Sequence, residues 1–398
     1  MKKLVFVLIL IALASCSDSK LEYPKAAKGD VVDNYHGTDV ADPYRWMEDL
    51  NSEETQNWIA EENVLTQNYL SKIPFRDKIK NRLTDLYNYE RYSAPSKHGE
   101  NYYYYKNDGL QNFSVLYSQK GLDGEPTVFL DPNNFSEDGS ISLAGISFSK
   151  NNKFASYSIS KGGSDWRDVY VMEVDKKEKL TDHLEWVKFS GMAWYKDGFF
   201  YSRYDSQSED EKLKAANEFQ KLYYHKVGTD QSMDKLVMEA KDSPQRGFSG
   251  YVTDDENYLA ITGWEGSSEN NLLYYKDLKR NSKIVTLIGK LEAEYSFIEN
   301  IGNKFLVKTN FEAPNYKIVL IDPIKPAKKH WETIIPETSN PINSVSYVNN
   351  KLIVLYLKDA NTKVLVHNVN GKLIHEVELQ GVGTASGFDG NRNDKEVF

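Results

Sequence analysis

The sequence predicts a mainly β fold: a seven-bladed β-propeller that breaks off within its seventh blade and follows a short α-helical N-terminal segment. Two observations predict the propeller. A unit of strand, Asn/Asp/Gly turn and second strand recurs about every 45–55 residues, which is close to the period of propeller blades. The 27 Tyr and 17 Phe residues also favour strands, because aromatic side chains fit the pleated surface of a sheet.

The N-terminal residues 1–15 have the features of a lipoprotein export signal. Lys2 and Lys3 are followed by an apolar run at 4–13, which is shorter than the roughly 20 residues of a membrane-spanning helix. The tetrapeptide LASC, ending at Cys16, resembles the lipobox of bacterial lipoproteins, and this is the sole cysteine of the chain. We therefore expect lipidation of Cys16 and a lipid-anchored location in a bacterial cell envelope. The alternative is an ordinary signal peptide with a cysteine near its cleavage site.

Two helices are predicted between residues 35 and 88, after a polar tether at 16–34. Ser52 suits an N-cap, and apolar residues on one face predict a first helix that ends near Ser71. Pro74 suits the first turn of a second helix. That helix carries an apolar stripe: Phe75, Ile79, Leu83 and Leu86. These stripes need a partner, which is either the strand-rich remainder or a further domain.

The propeller is predicted over residues 89–398. Blades begin near residues 100, 144, 192, 249, 295 and 344, and most of them add a third strand to the recurring pair. The stretch SGFDGNRNDKEVF at 386–398 supplies the opening strand and turn of a seventh blade. We expect the rest of that blade to lie beyond Phe398, because a ring left open would expose unpaired strand edges.

Several stretches resemble the prolyl oligopeptidase family of serine peptidases. In chain order they are YHGTDVADPYRWMED (35–49), DGLQN (108–112), VFLDPN (128–133), GGSDW (162–166), VKFSGMAW (187–194), KLYYHKVGTDQS (221–232) and APNY (313–316). The resemblance runs from about residue 21 to residue 398. It implies that the propeller caps an α/β-hydrolase domain and that the segment at 35–88 packs on that hydrolase.

The resemblance also implies where the chemistry lies. The family's catalytic serine, aspartate and histidine belong to the hydrolase segment after the propeller, so no residue of this chain is predicted to be catalytic. GFSGY at 247–251 comes nearest to a G-x-S-x-G motif, but Tyr251 replaces its last glycine. The complete protein would cleave short peptides after proline, with the propeller excluding folded proteins, and the chain alone would be inactive. The alternative is a non-catalytic, lipid-anchored propeller that binds a peptide or protein partner.

One propeller residue is predicted to contact substrate. In relatives the VKFS stretch faces the cavity between the propeller and the hydrolase, so the resemblance implies that Phe189 lines the substrate chamber. The alternative is that Phe189 is an aromatic residue of the blade core.

Other site classes find no support in the sequence. The net charge of -9 and the absence of a long Lys/Arg run argue against nucleic-acid binding. No cofactor motif is found. The seven histidines have no i, i+4 pair and no cysteine partner, so no metal site is predicted; they are His36, His98, His183, His225, His330, His367 and His375.

Two further motifs have structural interpretations. DGNRND at 389–394 begins like a calcium loop, but Asp394 stands where an EF-hand has glycine, so a β-turn is the better interpretation. The four tyrosines at 102–105 could form a stacking platform. We predict core packing instead, because alternation along a strand places two rings on each of two buried faces.

Overall fold

The computed structural model describes residues 21–206, 208, 212 and 215–398. The chain divides into two compact units between Tyr87 and Asn88. The predicted signal peptide and the predicted lipidation site, Cys16, lie outside the described residues. Within the described part, no helix is both long enough and apolar enough to cross a membrane.

The first unit opens with an antiparallel hairpin of two strands: β1 (Val32–Tyr35) and β2 (Thr38–Ala41). The tether predicted at 16–34 is therefore wrong for its last residues. Arg45 explains the difference, because its guanidinium pairs with Asp33 of β1 and, at 2.6 Å, with Asp42 just after β2. A side chain that bridges both strands fixes the hairpin.

Two α-helices follow the hairpin: α1 (Glu53–Ser71) and α2 (Arg76–Tyr87). Ser52 caps α1 as predicted, since its hydroxyl oxygen accepts a hydrogen bond from the backbone N–H of Thr55 at 3.2 Å. Trp46 packs edge-on against Trp58 of α1, with ring centroids 6.2 Å apart. The apolar stripe at α2 is exposed, and its members are Phe75, Ile79, Leu83 and Leu86.

The second unit consists of antiparallel strands in five sheets, numbered here in chain order. Sheet 1 has five strands: β3 (Arg91–Tyr92), β4 (Ser96–His98), β5 (Asn101–Asn107), β6 (Val115–Lys120) and β7 (Thr127–Leu130). The short strands β3 and β4 pair with different parts of β5. They therefore act together as one interrupted strand.

Sheet 2 has eight strands and divides into two halves. The first half is β8 (Ile141–Phe148), β9 (Phe154–Lys161), β10 (Arg167–Glu173) and β11 (Glu178–Val187). The second half is β12 (Ala193–Tyr195), β13 (Gly198–Arg203), β14 (Lys221–Lys226) and β15 (Lys235–Met238). The halves meet where Val187 of β11 pairs with Arg203 of β13. Each half is thus a four-stranded meander.

Sheets 3 to 5 repeat the same four-stranded plan. Sheet 3 is β16 (Arg246–Val252), β17 (Tyr258–Glu265), β18 (Leu272–Asp277) and β19 (Val285–Ile288). Sheet 4 is β20 (Tyr295–Ile301), β21 (Lys304–Thr309), β22 (Lys317–Ile321) and β23 (Glu332–Ile335). Sheet 5 is β24 (Ile342–Val348), β25 (Lys351–Lys358), β26 (Asn361–Asn368) and β27 (Leu373–Val377).

The core of this unit lies between consecutive sheets, which pack face to face. On β21, Phe305 and Val307 pack with residues of sheet 3, whereas Leu306, between them in sequence, packs with residues of sheet 5. Alternation along one strand therefore fills two separate apolar layers. The same layering joins sheet 1 to the first half of sheet 2, the two halves of sheet 2, and its second half to sheet 3.

Residues 387–398 lie between sheet 5 and sheet 1. Phe388 and Val397 pack on sheet 5, and the ring of Phe398 packs edge-on against Tyr102 of sheet 1 at 5.8 Å. The strand predicted here is not formed. The backbone N–H of Phe388 donates to the carbonyl of Phe398 at 2.5 Å, but a strand needs a ladder of such bonds to a neighbour. This segment nevertheless completes the circuit of contacts from the last sheet to the first.

Each apolar layer is shared by two sheets. Truncating a side chain within a layer should therefore lower the free energy of unfolding substantially. Leu306→Ala, at a fully buried position, should lower the free energy of unfolding by roughly 2–5 kcal/mol. The matched control is Leu357→Ala on β25, where the leucine is 49% exposed, and its effect should stay within about 0.5 kcal/mol. Urea unfolding of both variants would measure this; equal losses would contradict the layered core.

Candidate functional site

Phe189 lies on the loop between β11 and β12. Its side chain is 54% exposed, so it is not an aromatic residue of the blade core. Its backbone has a φ of 55°, in the left-handed region that bulky residues rarely adopt. A large apolar side chain is thus exposed to solvent at a position with an unfavourable backbone conformation.

The side chains of the buried Gln220 and the half-buried Ser190 hold the Phe189 loop in place. The Nε2 of Gln220, which is 1% exposed, donates to the carbonyl of Lys188 at 2.8 Å. The Oε1 of Gln220 accepts from the backbone N–H of Phe248, also at 2.8 Å. On the other side of Phe189, the Ser190 hydroxyl accepts from the backbone N–H of Ser202 at 2.7 Å. Hydrogen bonds to a side chain with no access to water fix the loop against two neighbouring strands.

An aromatic cluster and a cation lie beside Phe189. The ring of Trp166 packs edge-on against Trp186 and Tyr204, at centroid distances of 5.6 and 5.7 Å. The Nζ of Lys188 lies 5.0 Å from the Trp166 ring and 5.2 Å from the Phe189 ring. Trp166 and Tyr204 are buried, whereas the exposed ring of Phe189 beside the Lys188 ammonium can bind an apolar peptide side chain and attract a carboxylate.

A second cluster, fully buried, joins the two halves of sheet 2. His225 of β14 contacts Asp182 of β11 through Nε2 at 2.9 Å and Asp234 through Nδ1 at 2.7 Å. All three side chains are inaccessible to solvent. The Tyr201 hydroxyl donates to the second oxygen of Asp234 at 2.5 Å, and the backbone N–H of Gly228 donates to Asp182 at 2.6 Å.

This buried cluster favours a charged imidazole. Burial alone would lower the pKa of His225, but its hydrogen bonds to Asp182 and Asp234 raise that pKa to about 9. Burial likewise opposes ionisation of Asp182, yet its bonds to His225 and Gly228 lower its pKa. The imidazolium between two carboxylates is inaccessible to any substrate, so its role is structural. The sequence does not predict a role for His225 or reveal this cluster, because the partners of His225 lie 43 and 9 positions away in the chain.

A third cluster gathers at the turns that join the first two strands of the sheets. The backbone N–H of Arg392 donates to Asp254 at 2.7 Å, and its guanidinium contacts Asp255 at 2.9 Å and the carbonyl of Asn300 at 2.5 Å. The other oxygen of Asp254 pairs with Lys150 at 2.7 Å. Lys150 belongs to the first half of sheet 2 and Asp254 to sheet 3, which are not packing neighbours, so this pair crosses the interior of the circuit.

The other predicted residues take the following positions. Tyr102 and Tyr103 are buried and the next two tyrosines are half-buried, which confirms core packing. Residues 389–394 form a turn in which the Asp394 carboxylate accepts from the backbone N–H of Asn391 at 2.7 Å. GFSGY lies inside strand β16 and not at a strand-to-helix elbow. His183 lies near Asp168 and Glu185, a grouping that the sequence does not predict.

Taken together, meandering four-stranded sheets around a circuit define a β-propeller. The chain belongs to the prolyl oligopeptidase family: residues 23–398 match the family model described as prolyl oligopeptidase, N-terminal β-propeller domain. The resemblance inferred from the sequence motifs is therefore confirmed.

Curated relatives agree with this assignment. The chain is 40% identical over 401 residues to a protein named prolyl endopeptidase from Elizabethkingia miricola, covering 100% of this chain and 56% of that protein. It is 32% identical to prolyl oligopeptidase A from Amanita bisporigera, covering 91% and 52%. The chain thus spans about half the length of the curated relatives it matches.

Solved structures show the same similarity. Prolyl oligopeptidase B from Galerina marginata, bound to a 25mer macrocyclization substrate, matches with a TM-score of 0.80 and 28% identity over 93% of this chain and 55% of that one. A structure from a study of two prolyl endopeptidases, concerned with inter-domain dynamics in catalysis and specificity, matches with a TM-score of 0.71 and 30% identity over 94% and 54%.

The buried imidazolium predicts a pH-dependent stability difference. Because the pKa of His225 is raised to about 9, its contribution is complete below the unfolded value of 6.5 and is lost as pH rises through 9. At pH 7, His225→Gln should cost roughly 3–5 kcal/mol, since it leaves two buried carboxylates without their cation. The stability gap between wild type and variant should shrink as pH rises from 7 to 10.

Chemical unfolding at several pH values would measure this gap. The control is His330→Gln, at an exposed histidine, for which the gap should stay near zero throughout. A gap for His225→Gln that does not change with pH would show that the imidazole is neutral in the folded protein.

Proposed function

We propose that this chain is the propeller-containing N-terminal part of a prolyl oligopeptidase, a serine endopeptidase that cleaves short peptides after proline. One observation carries the proposal: the chain matches proteins named prolyl endopeptidase at 40% identity along its whole length while spanning 56% of theirs. The catalytic serine, histidine and aspartate would belong to an α/β-hydrolase domain in the remaining length. There the histidine would act as general base towards the serine, oriented by the aspartate.

The propeller would have seven blades. Sheet 1, the two halves of sheet 2 and sheets 3 to 5 supply six four-stranded units. Residues 387–398 lie between the last and the first of these units. Phe398 packs on Tyr102 of sheet 1, and Phe388 and Val397 pack on the apolar face of sheet 5. This position supports the proposal that they open the seventh blade.

The propeller would control access to the chamber. The cluster of Lys150, Asp254 and Arg392 supports this role, because it brings side chains from non-neighbouring sheets together across the interior of the circuit. Next to it lies a polar cavity of about 570 Å³. An opening lined by such ion pairs would admit a flexible peptide and exclude a folded domain.

Phe189 would line the substrate chamber, and the Phe189 loop would form part of its wall. The exposure of the ring and its fixed position support this assignment. The apolar stripe at α2 would pack on the hydrolase domain. Its support is the exposure of four large apolar residues at one helix, a pattern typical of an interface.

The protein would be anchored in a bacterial cell envelope through a lipid on Cys16. The support is the sequence alone: the export signal at 1–15 and the LASC tetrapeptide. The protein would thus act on peptides outside the cytoplasm.

The proposed activity is tested by comparing two proteins. One is the 398-residue chain, and the other is the same chain extended to the length of its relatives. The substrate is a short peptide that carries a chromogenic group after proline. The extended protein should hydrolyse this peptide, and the 398-residue chain should not. The extended protein should leave the same sequence intact within a folded domain. Turnover by the 398-residue chain, or by neither protein, would contradict the proposal.

The role of Phe189 predicts a kinetic effect in the extended protein. Phe189→Ala should lower kcat/KM for proline-containing peptides by roughly tenfold or more, mainly through KM, because an apolar contact to substrate is lost. Unfolding stability should change by less than about 0.5 kcal/mol, since the ring is exposed. Ile324→Ala, at a residue 77% exposed, serves as control and should leave kcat/KM unchanged. If Phe189→Ala leaves kcat/KM and KM unchanged, Phe189 does not line the substrate chamber.

The docking of α2 predicts a difference between the two protein lengths. Leu83→Glu should destabilise the extended protein by several kcal/mol, because a charge would be buried at the interface. In the 398-residue chain, where Leu83 is 48% exposed, the same change should cost less than about 0.5 kcal/mol. Asn81→Glu, on the opposite side of α2, should have little effect in either protein. Thermal unfolding is measured for the parent, Leu83→Glu and Asn81→Glu, each in both lengths. Equal effects of the two substitutions would contradict an interface between α2 and the hydrolase domain.

A further inference from the structure

We propose that Asp168, His183 and Glu185 bind one divalent transition metal ion of the zinc type. Their ligand atoms, one from each side chain, all lie within 4.8 Å of one another. They belong to β10 and β11, on the face of the first half of sheet 2 that carries Tyr170 and packs towards sheet 1. The sequence predicted no metal site because it lacked an i, i+4 histidine pair, but that spacing is a test for helices.

The strand geometry places these three residues on one face. His183 and Glu185 are two positions apart on β11, so their side chains project to the same side. His183 lies opposite Tyr170 of β10, and Asp168 is two positions from that tyrosine. The opposite face of the same strands is buried, with Val169 at 1% and Leu184 at 0% exposure. The ladder is irregular between Arg167 and Val169, so Asp168 and Glu185 lie at a register shift beside the paired residues Tyr170 and His183.

The charge arrangement leaves one carboxylate oxygen directed at the imidazole. Two carboxylates that share one face of neighbouring strands repel each other. The Nζ of Lys161 pairs with Oδ2 of Asp168 at 2.6 Å, which leaves the other oxygen, Oδ1, facing His183 Nε2 at 3.8 Å. That distance is too long for a hydrogen bond. Lys161 thus orients the carboxylate and leaves one of its oxygens directed at the imidazole, as outer-shell partners of metal ligands do.

The ligand set and its spacing fit zinc. Bonds of about 2.0–2.1 Å in a tetrahedron separate neighbouring ligand atoms by about 3.3 Å, so the exposed His183 and Glu185 side chains need to move by roughly an ångström. One imidazole nitrogen and two carboxylate oxygens leave a fourth position for water. Calcium and magnesium prefer sites built from oxygen alone, so they should bind less well.

Neighbouring groups hold the ligands in place and moderate the affinity. The ring of His183 stacks on Tyr170 at 4.8 Å with an interplanar angle of 9°. Gln231 forms two hydrogen bonds with the backbone of Glu185, at 3.0 and 3.1 Å. The ammonium of Lys179 lies 3.4 Å from the Tyr170 centroid and, with Lys161, adds positive charge nearby. Preorganisation thus favours binding, and the two lysines weaken it.

The test is a titration of the untagged protein with zinc chloride, in competition with a chromophoric chelator. A Cys16→Ser background removes the sole thiol that could bind the metal. We expect one saturable zinc equivalent, with calcium and magnesium chloride failing to compete. His183→Phe keeps a ring against Tyr170 but removes the nitrogen, and Glu185→Gln keeps the shape but removes the charge. Each should weaken binding at least about tenfold.

His330→Phe and Glu332→Gln, at exposed positions of the same residue types, are the matched controls and should bind zinc like the parent. A second measurement is thermal unfolding: zinc should raise the Tm of the parent and of both controls but not that of His183→Phe. Circular dichroism verifies that each variant folds. Absence of saturable zinc binding, or parent-like binding by His183→Phe, overturns the proposal.

Discussion

The second unit depends on one constraint: each sheet has two apolar faces, and each face must be covered by a neighbour. Phe305 and Val307 fill one layer while Leu306 fills the next, so a single strand contributes to two cores. A row of such sheets would leave two faces bare at its ends, and bare apolar faces of this size are unfavourable in water. Closing the row into a circuit removes both ends. Residues 387–398, packed between sheet 5 and sheet 1, occupy the place where that closure occurs.

Polar groups enter this apolar frame where sheets must be tied in a specific order. His225, Asp182 and Asp234 lie between the two halves of sheet 2, whose backbones pair at Val187 and Arg203. A buried imidazolium with two carboxylates tolerates few alternative arrangements, because any shift would leave a charge without its partner. Apolar packing alone tolerates sliding and substitution more readily. The buried cluster of His225, Asp182 and Asp234 can therefore fix the first half of sheet 2 against the second half, where few backbone hydrogen bonds do so.

The sequence predicted the repeated strand pairs well, because their inner strands alternate or are continuously apolar, as at β21 and β25. It did not identify outer strands such as β19 (Val285–Ile288) and β23 (Glu332–Ile335), which are four residues long and exposed at their first two positions. Nor could it group Asp168 with Glu185, since strand register decides which residues face each other. The exposure of Phe189 depends on hydrogen bonds to Gln220, 31 positions later, and no local pattern encodes them.

These observations separate the scaffold from the parts that can act on a ligand. The layered cores set the positions of the strands. The group around His183 and the exposed Phe189 lie at the two ends of the stretch from 183 to 189. Gln231 connects the group around His183 to the core: it bonds the backbone of Glu185 and, at 3.1 Å, the hydroxyl of Tyr201, which in turn donates to Asp234 of the buried cluster. A charge buried for stability thus also fixes the end of β11, which carries His183 and Glu185 and leads into the Phe189 loop. Support of the backbone in this way sets where a surface ring and a surface imidazole project without burying them.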